Sequence, residues 1–223
     1  MKSTAAVQKS ARNYYGTGTY LGLAGALLAM IVLFSSLSDH FFSYDTLSTL
    51  ANQIPDLMVL SVGMTFVLII GGIDLSVGSV LALAASAVSV AILGWGWGIL
   101  PAALLGMACA ALAGTITGSI SVAWRIPSFI VSLGVLEMAR GSAYQMTGSR
   151  TAYIGDAFAW LSNPIAFGIS PSFIIALLII VVAQAVLTRT VFGRYLIGIG
   201  TNEEAVRLSG INPKPYKILV FSL

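Results

Sequence analysis

Between Leu75 and Trp124 the chain carries no Asp, Glu, Lys, Arg or His, and the run Leu57–Ile73 just before it is equally uncharged. Runs of this length exceed the roughly 20 apolar residues that carry one α-helix across a bilayer. The whole chain agrees: charged residues make up 9% and mean hydropathy is +0.94, whereas a soluble domain carries about 25% charged residues. β-barrel spans would alternate polarity over segments of about 10 residues, and no such alternation is present. The sequence therefore predicts an all-α, polytopic transmembrane helical bundle embedded in a lipid bilayer.

Six full spans can be placed: Tyr20–Leu37, Ile54–Ile70, Leu75–Leu93, Ile99–Val122, Pro127–Thr147 and Pro171–Thr188. A seventh apolar run starts near Ile218 and stops at Leu223. The first run is longer than the roughly 7–15 residue apolar region of a signal peptide and lacks a cleavage site, so it is read as a retained span. The "GWGWG" segment, Gly94–Gly98, makes a turn with interfacial tryptophans. With the N-terminus cytoplasmic, the inner segments hold Lys2, Lys9, Arg12, Arg125, Arg189, Arg194, Arg207, Lys214 and Lys217, and the outer loops hold only Arg150. That asymmetry supports the whole map. The expected organisation is a cytoplasmic tail over 1–19, a transmembrane core over 20–188, a cytoplasmic loop over 189–216 and the start of a seventh span over 217–223.

The net charge of +3 follows from those topology signals, so no nucleic-acid partner is expected. Cys109 is read as a small buried hydrophobe. His40 has no Cys or His neighbour in sequence, so a metal centre and a catalytic site lack support.

Asp74 stands where the second span meets the third. Gly71 and Gly72 suit a helix C-terminus, and Asp74 reads as the N-cap of the following helix. A direct role in gating or in contact with a partner subunit is the other reading, and the two are compatible. Glu137 and Arg140 fall inside the fifth span, on one helix face at i, i+3 spacing. They form either a structural ion pair facing other helices or part of a substrate path. Gly106, Ala110, Gly114 and Gly118 make a small-residue ridge on the fourth span, with a shorter one at Gly78, Ala82 and Ser86 on the third; both predict close helix packing. In "GTNEEAVRLSGINPKP", Thr201 and Glu204 match a capping box, Gly210 supplies a stop, and Pro213 and Pro215 lie beyond it. A helix this short needs something to dock against.

"VGMTFVLIIGGIDLSVGSVLAL" (Val62–Leu83) and "GRYLIGIGTNEEAVRLSGIN" (Gly193–Asn212) resemble the signature and the coupling loop of ABC-importer permeases of the monosaccharide class, which includes ribose, xylose, arabinose and galactose permeases. Ribose permeases are the nearest in this reading. The resemblance implies a multi-pass protein of the bacterial inner membrane that provides the path for a sugar. It also implies a second permease copy, expected as a homodimer, together with an ABC ATPase subunit and a periplasmic sugar-binding protein. Gly71, Gly72, Asp74 and Ser76 fall in the signature. Asn202, Glu203, Glu204, Ala205 and Gly210 fall in the loop that seats in the ATPase. No G-x-x-x-x-G-K-[ST] phosphate loop occurs, so ATP hydrolysis is expected on the partner, and this chain is expected to be no enzyme and to bind no cofactor. Family members continue with further spans, so truncation at the C-terminus is expected. The alternatives are an ion-coupled secondary sugar transporter, which would use intramembrane carboxylates and broken helices, and a non-transporting truncated membrane subunit.

Overall fold

A computed structural model describes the backbone of residues 3–165 and 167–223, and side chains from Tyr20 onward apart from residue 166. Lys2 lies outside the described residues, as do the side chains of Lys9 and Arg12. The described chain is all helical and forms two compact units, 1–50 and 51–223.

In the first unit α1 runs from Ser3 to Leu37, so the segment expected as a tail continues the helix of the first span. Phe34 stacks on Phe41 at 5.9 Å, and Phe41 meets Phe42 edge-on at 5.0 Å. These rings hold the turn that leads into α2 (Tyr44–Gln53), whose last three residues lie beyond the unit boundary. The Thr46 amide donates to Ser43 Oγ at 3.2 Å, and its hydroxyl donates to the His40 carbonyl at 2.7 Å.

The second unit contains α3 (Pro55–Ile69), α4 (Val77–Leu93), α5 (Ile99–Trp124), α6 (Ser128–Thr147), the single turn α7 (Ala159–Ser162), α8 (Pro171–Arg189), α9 (Val191–Leu208) and α10 (Pro213–Ser222). Among the described residues, three helical stretches are long and apolar enough on their own to cross a membrane: Tyr20–Leu37, Ile99–Trp124 and Pro171–Arg189. The second and third expected spans are shorter than drawn from sequence. With 15 and 17 residues, α3 and α4 reach only about 22 and 25 Å at 1.5 Å per residue, against a hydrocarbon core of roughly 30 Å. Residues 70–76 between them are non-helical.

Helix starts follow side-chain chemistry. Ser170 Oγ accepts from the Phe173 amide ahead of α8, and Thr190 Oγ1 accepts from the Gly193 amide ahead of α9. Asn212 Oδ1 accepts from the Lys214 amide ahead of α10. Pro213 is therefore the first residue of a helix rather than a stop, because its missing N–H is not needed there. The apolar run expected from Ile218 is the second half of that helix.

The α5 ridge is filled. A Cβ on Gly118 would lie 2.9 Å from Ile218 Cα, one on Gly114 would collide with the Phe221 carbonyl, and one on Gly106 would meet Val88 of α4 at 2.7 Å. The α4 ridge is not filled in this way. Nothing lies within 4 Å of a Cβ on Gly78, and Ser86 bonds its own helix at Ala82 O. The core of the unit lies where α3, α9 and α10 meet, around Phe66, Val67, Ile70, Leu196, Ile199, Val220 and Phe221.

Candidate functional site: a cleft between two glycine-ended helices

α3 ends in a Schellman motif. The Gly72 amide reaches Val67 O at 2.9 Å and the Gly71 amide reaches Leu68 O at 3.0 Å, with Gly71 at φ +72°. Both orphan carbonyls are thereby satisfied. Gly72 then passes close to α10, where a Cβ would stand 3.0 Å from Phe221 Cζ.

The segment after it is held by α6. Ser128 Oγ accepts from the Ile73 amide at 2.9 Å and donates to the Ile73 carbonyl at 3.0 Å. Ser132 Oγ accepts from the Leu75 amide at 3.0 Å and donates to Phe129 O. Two serines one helical turn apart thus give a non-helical stretch of backbone hydrogen-bond partners. Sequence reading missed both, because their partners lie more than 50 residues away; the only local sign is "PSFIVS" opening a helix.

Asp74 is not the N-cap of α4. That position belongs to Ser76, and α4 begins at Val77. Asp74 Oδ1 accepts from the Ser76 amide at 2.7 Å and from the Ser76 hydroxyl at 2.6 Å. An Asp side chain bonding backbone two residues ahead competes with helix formation and delays the helix start. Asp74 and Ser76 are both buried, so the carboxylate organises the turn itself.

The loop expected as one short helix is the second part of α9, separated from the first by a break at Asn202 (φ −160°, ψ 93°). The cap is Asn202, whose Oδ1 accepts from the Ala205 amide at 3.0 Å. Thr201 does not cap, because its hydroxyl donates back to Ile197 O. Gly210 (φ +85°) closes the helix in a second Schellman motif, with Ile211 N bonded to Val206 O and Gly210 N to Arg207 O. Glu204 pairs with Arg207 at 2.6 Å, and Glu203 reaches across to Lys217 of α10 at 2.9 Å. The Glu204 side-chain hydrogen bond, followed by its charge, holds the Arg207 guanidinium above its ordinary pKa. A Cβ on Gly200, just before the break, would strike the Ile69 carbonyl, so α9 and α3 cross almost backbone to backbone.

These pieces meet in one cleft of about 620 Å³. Gly71 and Gly72 form one wall, Arg125 to Ser128 another, and Glu203, Glu204 and Arg207 a third. Lys214 and Lys217 complete the rim. The cleft therefore gathers the glycines of the signature turn and the glutamates of the loop. Asp74, Ser76 and Ala205 do not line it, and Gly210 ends the helix that forms its third wall.

Glu137 and Arg140 lie elsewhere on α6. They pair at 3.3 Å, and their side chains are 69% and 52% exposed, so the pair is not buried among other helices of this chain. Arg140 borders a second cavity of about 390 Å³ with Leu75, Gly78, Ser79, Ala82 and Tyr144. Another polar anchor missed in the sequence is Asn52. Its amide donates to Gly168 O at 2.9 Å, and its carbonyl accepts from Ser170 N at 2.8 Å. Among the described residues, no group of three His, Cys, Asp or Glu side chains is placed to hold a metal.

Comparison with known proteins bears on the same residues. The chain is 36% identical to the ribose import permease protein RbsC of Escherichia coli K12 over 89% of its own length. It is equally identical, over the same share, to RbsC of Haemophilus influenzae. It is 32% identical to the autoinducer 2 import system permease protein LsrC of Enterobacter sp. 638, again over 89% of the chain. The chain spans 63%, 62% and 58% of those proteins' lengths, respectively. No solved structure matches. The family described as branched-chain amino acid transport system, permease component, matches residues 46–223, a range that contains both glycine-ended helices and every wall of the cleft. The chain belongs to that permease family.

Proposed function

We propose that the chain is the membrane-spanning permease component of an ATP-driven ABC importer for a monosaccharide, with ribose the foremost substrate. One observation carries the reading: the signature turn and the glutamate-bearing loop, read separately from the sequence, line a single cleft. A cleft walled by Arg125, Arg207, Lys214 and Lys217 and by two glutamates suits a docked soluble partner better than lipid. The RbsC relatives support ribose, and the LsrC relative supports a wider range of imported small molecules.

On this reading the six apolar runs are six spans, α10 begins a seventh, and the cleft faces the cytoplasm from the bacterial inner membrane. Asn202, Glu203, Glu204, Ala205 and Gly210 engage the ATPase, while Gly71, Gly72, Asp74 and Ser76 carry its movement inward. Charges placed in mid-span are costly against lipid. The exposed face of Glu137 and Arg140 therefore turns towards a second copy of the chain and the path between the two copies, to which a periplasmic binding protein delivers the sugar.

The test is uptake of labelled ribose by cells that lack their own ribose import and express the chain with its ATPase and binding protein. The expected result is ATP-dependent uptake, with Glu204→Lys abolishing both uptake and ATPase co-purification at unchanged membrane levels, because charge reversal disfavours a docked surface. Uptake that survives ATP depletion while the ion gradient is held would overturn the reading in favour of an ion-coupled secondary transporter. Assembly with the ATPase but no uptake of any sugar would overturn it in favour of a non-transporting subunit.

A further inference from the structure

The cavity between α4 and α6 is lined by a serine whose hydroxyl has no hydrogen-bond partner among the described residues. Ser79 is 8% exposed and lines the cavity. Ser86 and Ser89 on the same helix turn their hydroxyls onto carbonyls three or four residues back, at 2.8 Å. The Ser79 hydroxyl makes no such bond among the described residues. Among the described residues no fully enclosed side-chain oxygen or nitrogen lacks a partner, so Ser79 Oγ is not fully enclosed, and the cavity is the open space that its residue lines. Buried hydroxyls are normally paired, and this one is left free to bond whatever enters.

Two further donors border the same space. The Tyr144 hydroxyl also has no hydrogen-bond partner among the described residues, and Arg140 presents the part of its guanidinium fork not spent on Glu137. The remaining wall is apolar or small: Leu75, Gly78, Ala82 and Leu136. At about 390 Å³ the cavity falls within the roughly 300–1,000 Å³ typical of small-molecule sites, which combine apolar walls with a few placed polar groups. Its electrostatics select the class of ligand. Glu137 neutralises Arg140 at 3.3 Å without itself lining the cavity, so neither an anion nor a cation meets a net charge there. Two hydroxyls that both donate and accept, beside a donor-only guanidinium, match a neutral polyhydroxylated molecule.

We infer that Ser79, Arg140 and Tyr144 form a transit subsite for a neutral polyol, with Ser79 reading one hydroxyl of the sugar. This rests on the importer reading above and gives it a site. Gly78 is part of the same logic, because any side chain there would extend into the open space that the sugar needs.

The test uses the full chain in membrane vesicles with its ATPase, carrying Ser79→Cys in a Cys109→Ala background. A small methanethiosulfonate reagent is expected to modify residue 79, and millimolar ribose should slow the modification at least about fivefold, while an equal concentration of betaine should not. In the uptake assay, Ser79→Ala is expected to raise the KM for ribose about tenfold with membrane level and ATPase co-purification unchanged. Ser79→Thr, which keeps the hydroxyl, should recover most of the loss. ATP-dependent uptake without protection at residue 79, or with a Ser79→Ala KM equal to that of the parent, overturns the subsite alone. Loss of ATP dependence overturns the importer reading whatever the labelling shows.

Discussion

The crossing of α5 and α10 makes a quantitative test of how this chain packs. A Cβ at residue 114 would fall on the Phe221 carbonyl and within 3.0 Å of Ser222 Cα. Both obstacles are backbone, so no rotamer change can relieve them and α10 must move. Relief by backbone displacement in a well-packed region costs typically about 1–3 kcal/mol. Alanine is also the better helix former by roughly 1 kcal/mol, so Gly114→Ala alone gives a net effect anywhere between neutral and about 2 kcal/mol destabilising. A second glycine separates the terms. Gly134 lies mid-helix in α6 with nothing within 4 Å of its would-be Cβ, so Gly134→Ala gains the propensity and meets no obstacle. Subtracting one variant from the other cancels propensity and leaves the packing term of about 1–3 kcal/mol.

At roughly 2–4 °C per kcal/mol for a chain of this size, Gly114→Ala should melt about 2–12 °C below Gly134→Ala. The natural reporter is Cys109, which lies on α5 itself, is the chain's single cysteine, and is half-buried rather than buried as expected from sequence. A thiol-reactive dye added during a thermal ramp in detergent reads its release. If Gly114→Ala melts at or above Gly134→Ala, the close crossing is wrong and the small-residue ridge has another cause.

Three further outcomes follow from the turn and the loop. Asp74→Asn keeps an acceptor for Ser76 and should cost about 1 kcal/mol or less in the same thermal assay, whereas Asp74→Leu strands the Ser76 amide and hydroxyl and should cost about 1–3 kcal/mol; equal effects would remove the side chain from the turn's support. Ser132→Ala deprives the Leu75 amide of its acceptor, so exchange of that amide, followed by mass spectrometry, should accelerate by roughly 5–150-fold, the equivalent of about 1–3 kcal/mol; an unchanged rate rejects the bond. Asn202→Ala should loosen the second part of α9 by about 1 kcal/mol, seen as faster exchange at Ala205, while Thr201→Ala should leave that amide unchanged; the reverse order would restore Thr201 as the cap.

What the sequence made legible was punctuation and composition. Gly71 and Gly210 mark helix ends because a left-handed residue is needed there and glycine adopts it freely, so both stops could be seen without knowing what surrounds them. The caps were displaced for a local reason. Asp74 and Asn202 each bond backbone two or three residues on, and a reading by residue type alone cannot tell a cap from a competing turn. The two small-residue ridges look alike in sequence yet differ in structure, because whether a ridge is filled depends on which helix lies across it. α10 covers Gly114 and Gly118, whereas nothing among the described residues lies within 4 Å of a Cβ on Gly78. Ser128, Ser132 and Asn52 escaped notice because their partners are 55 to 118 residues away in the chain, and no local pattern encodes such a pairing.

The segment between α3 and α4 belongs to two spaces at once. Its first residues, Ile70 to Gly72, line the cleft, and Leu75 lines the α4–α6 cavity. A seven-residue stretch outside regular structure would ordinarily absorb a push on one side without passing it to the other. This one is tied along its length. Both backbone groups of Ile73 and the Leu75 amide are bonded to two serines of α6, and Asp74 locks the following turn onto Ser76. Parting the segment from α6 would break all three bonds, at about 0.5–1.5 kcal/mol for each. Displacing the cleft wall is therefore cheaper if the segment and the first turns of α6 move as one body. That body also carries Arg140, about 12 Å further along α6 from Ser132 at 1.5 Å per residue, into the wall of the cavity. A rigid connection of this kind has a signature in hydrogen exchange: the amides of Ile73 and Leu75 should open together with those of Val131 and Ser132, at one common rate. If Ile73 and Leu75 exchange freely while α6 stays protected, the segment is a hinge, and motion at the cleft would not reach the cavity through it.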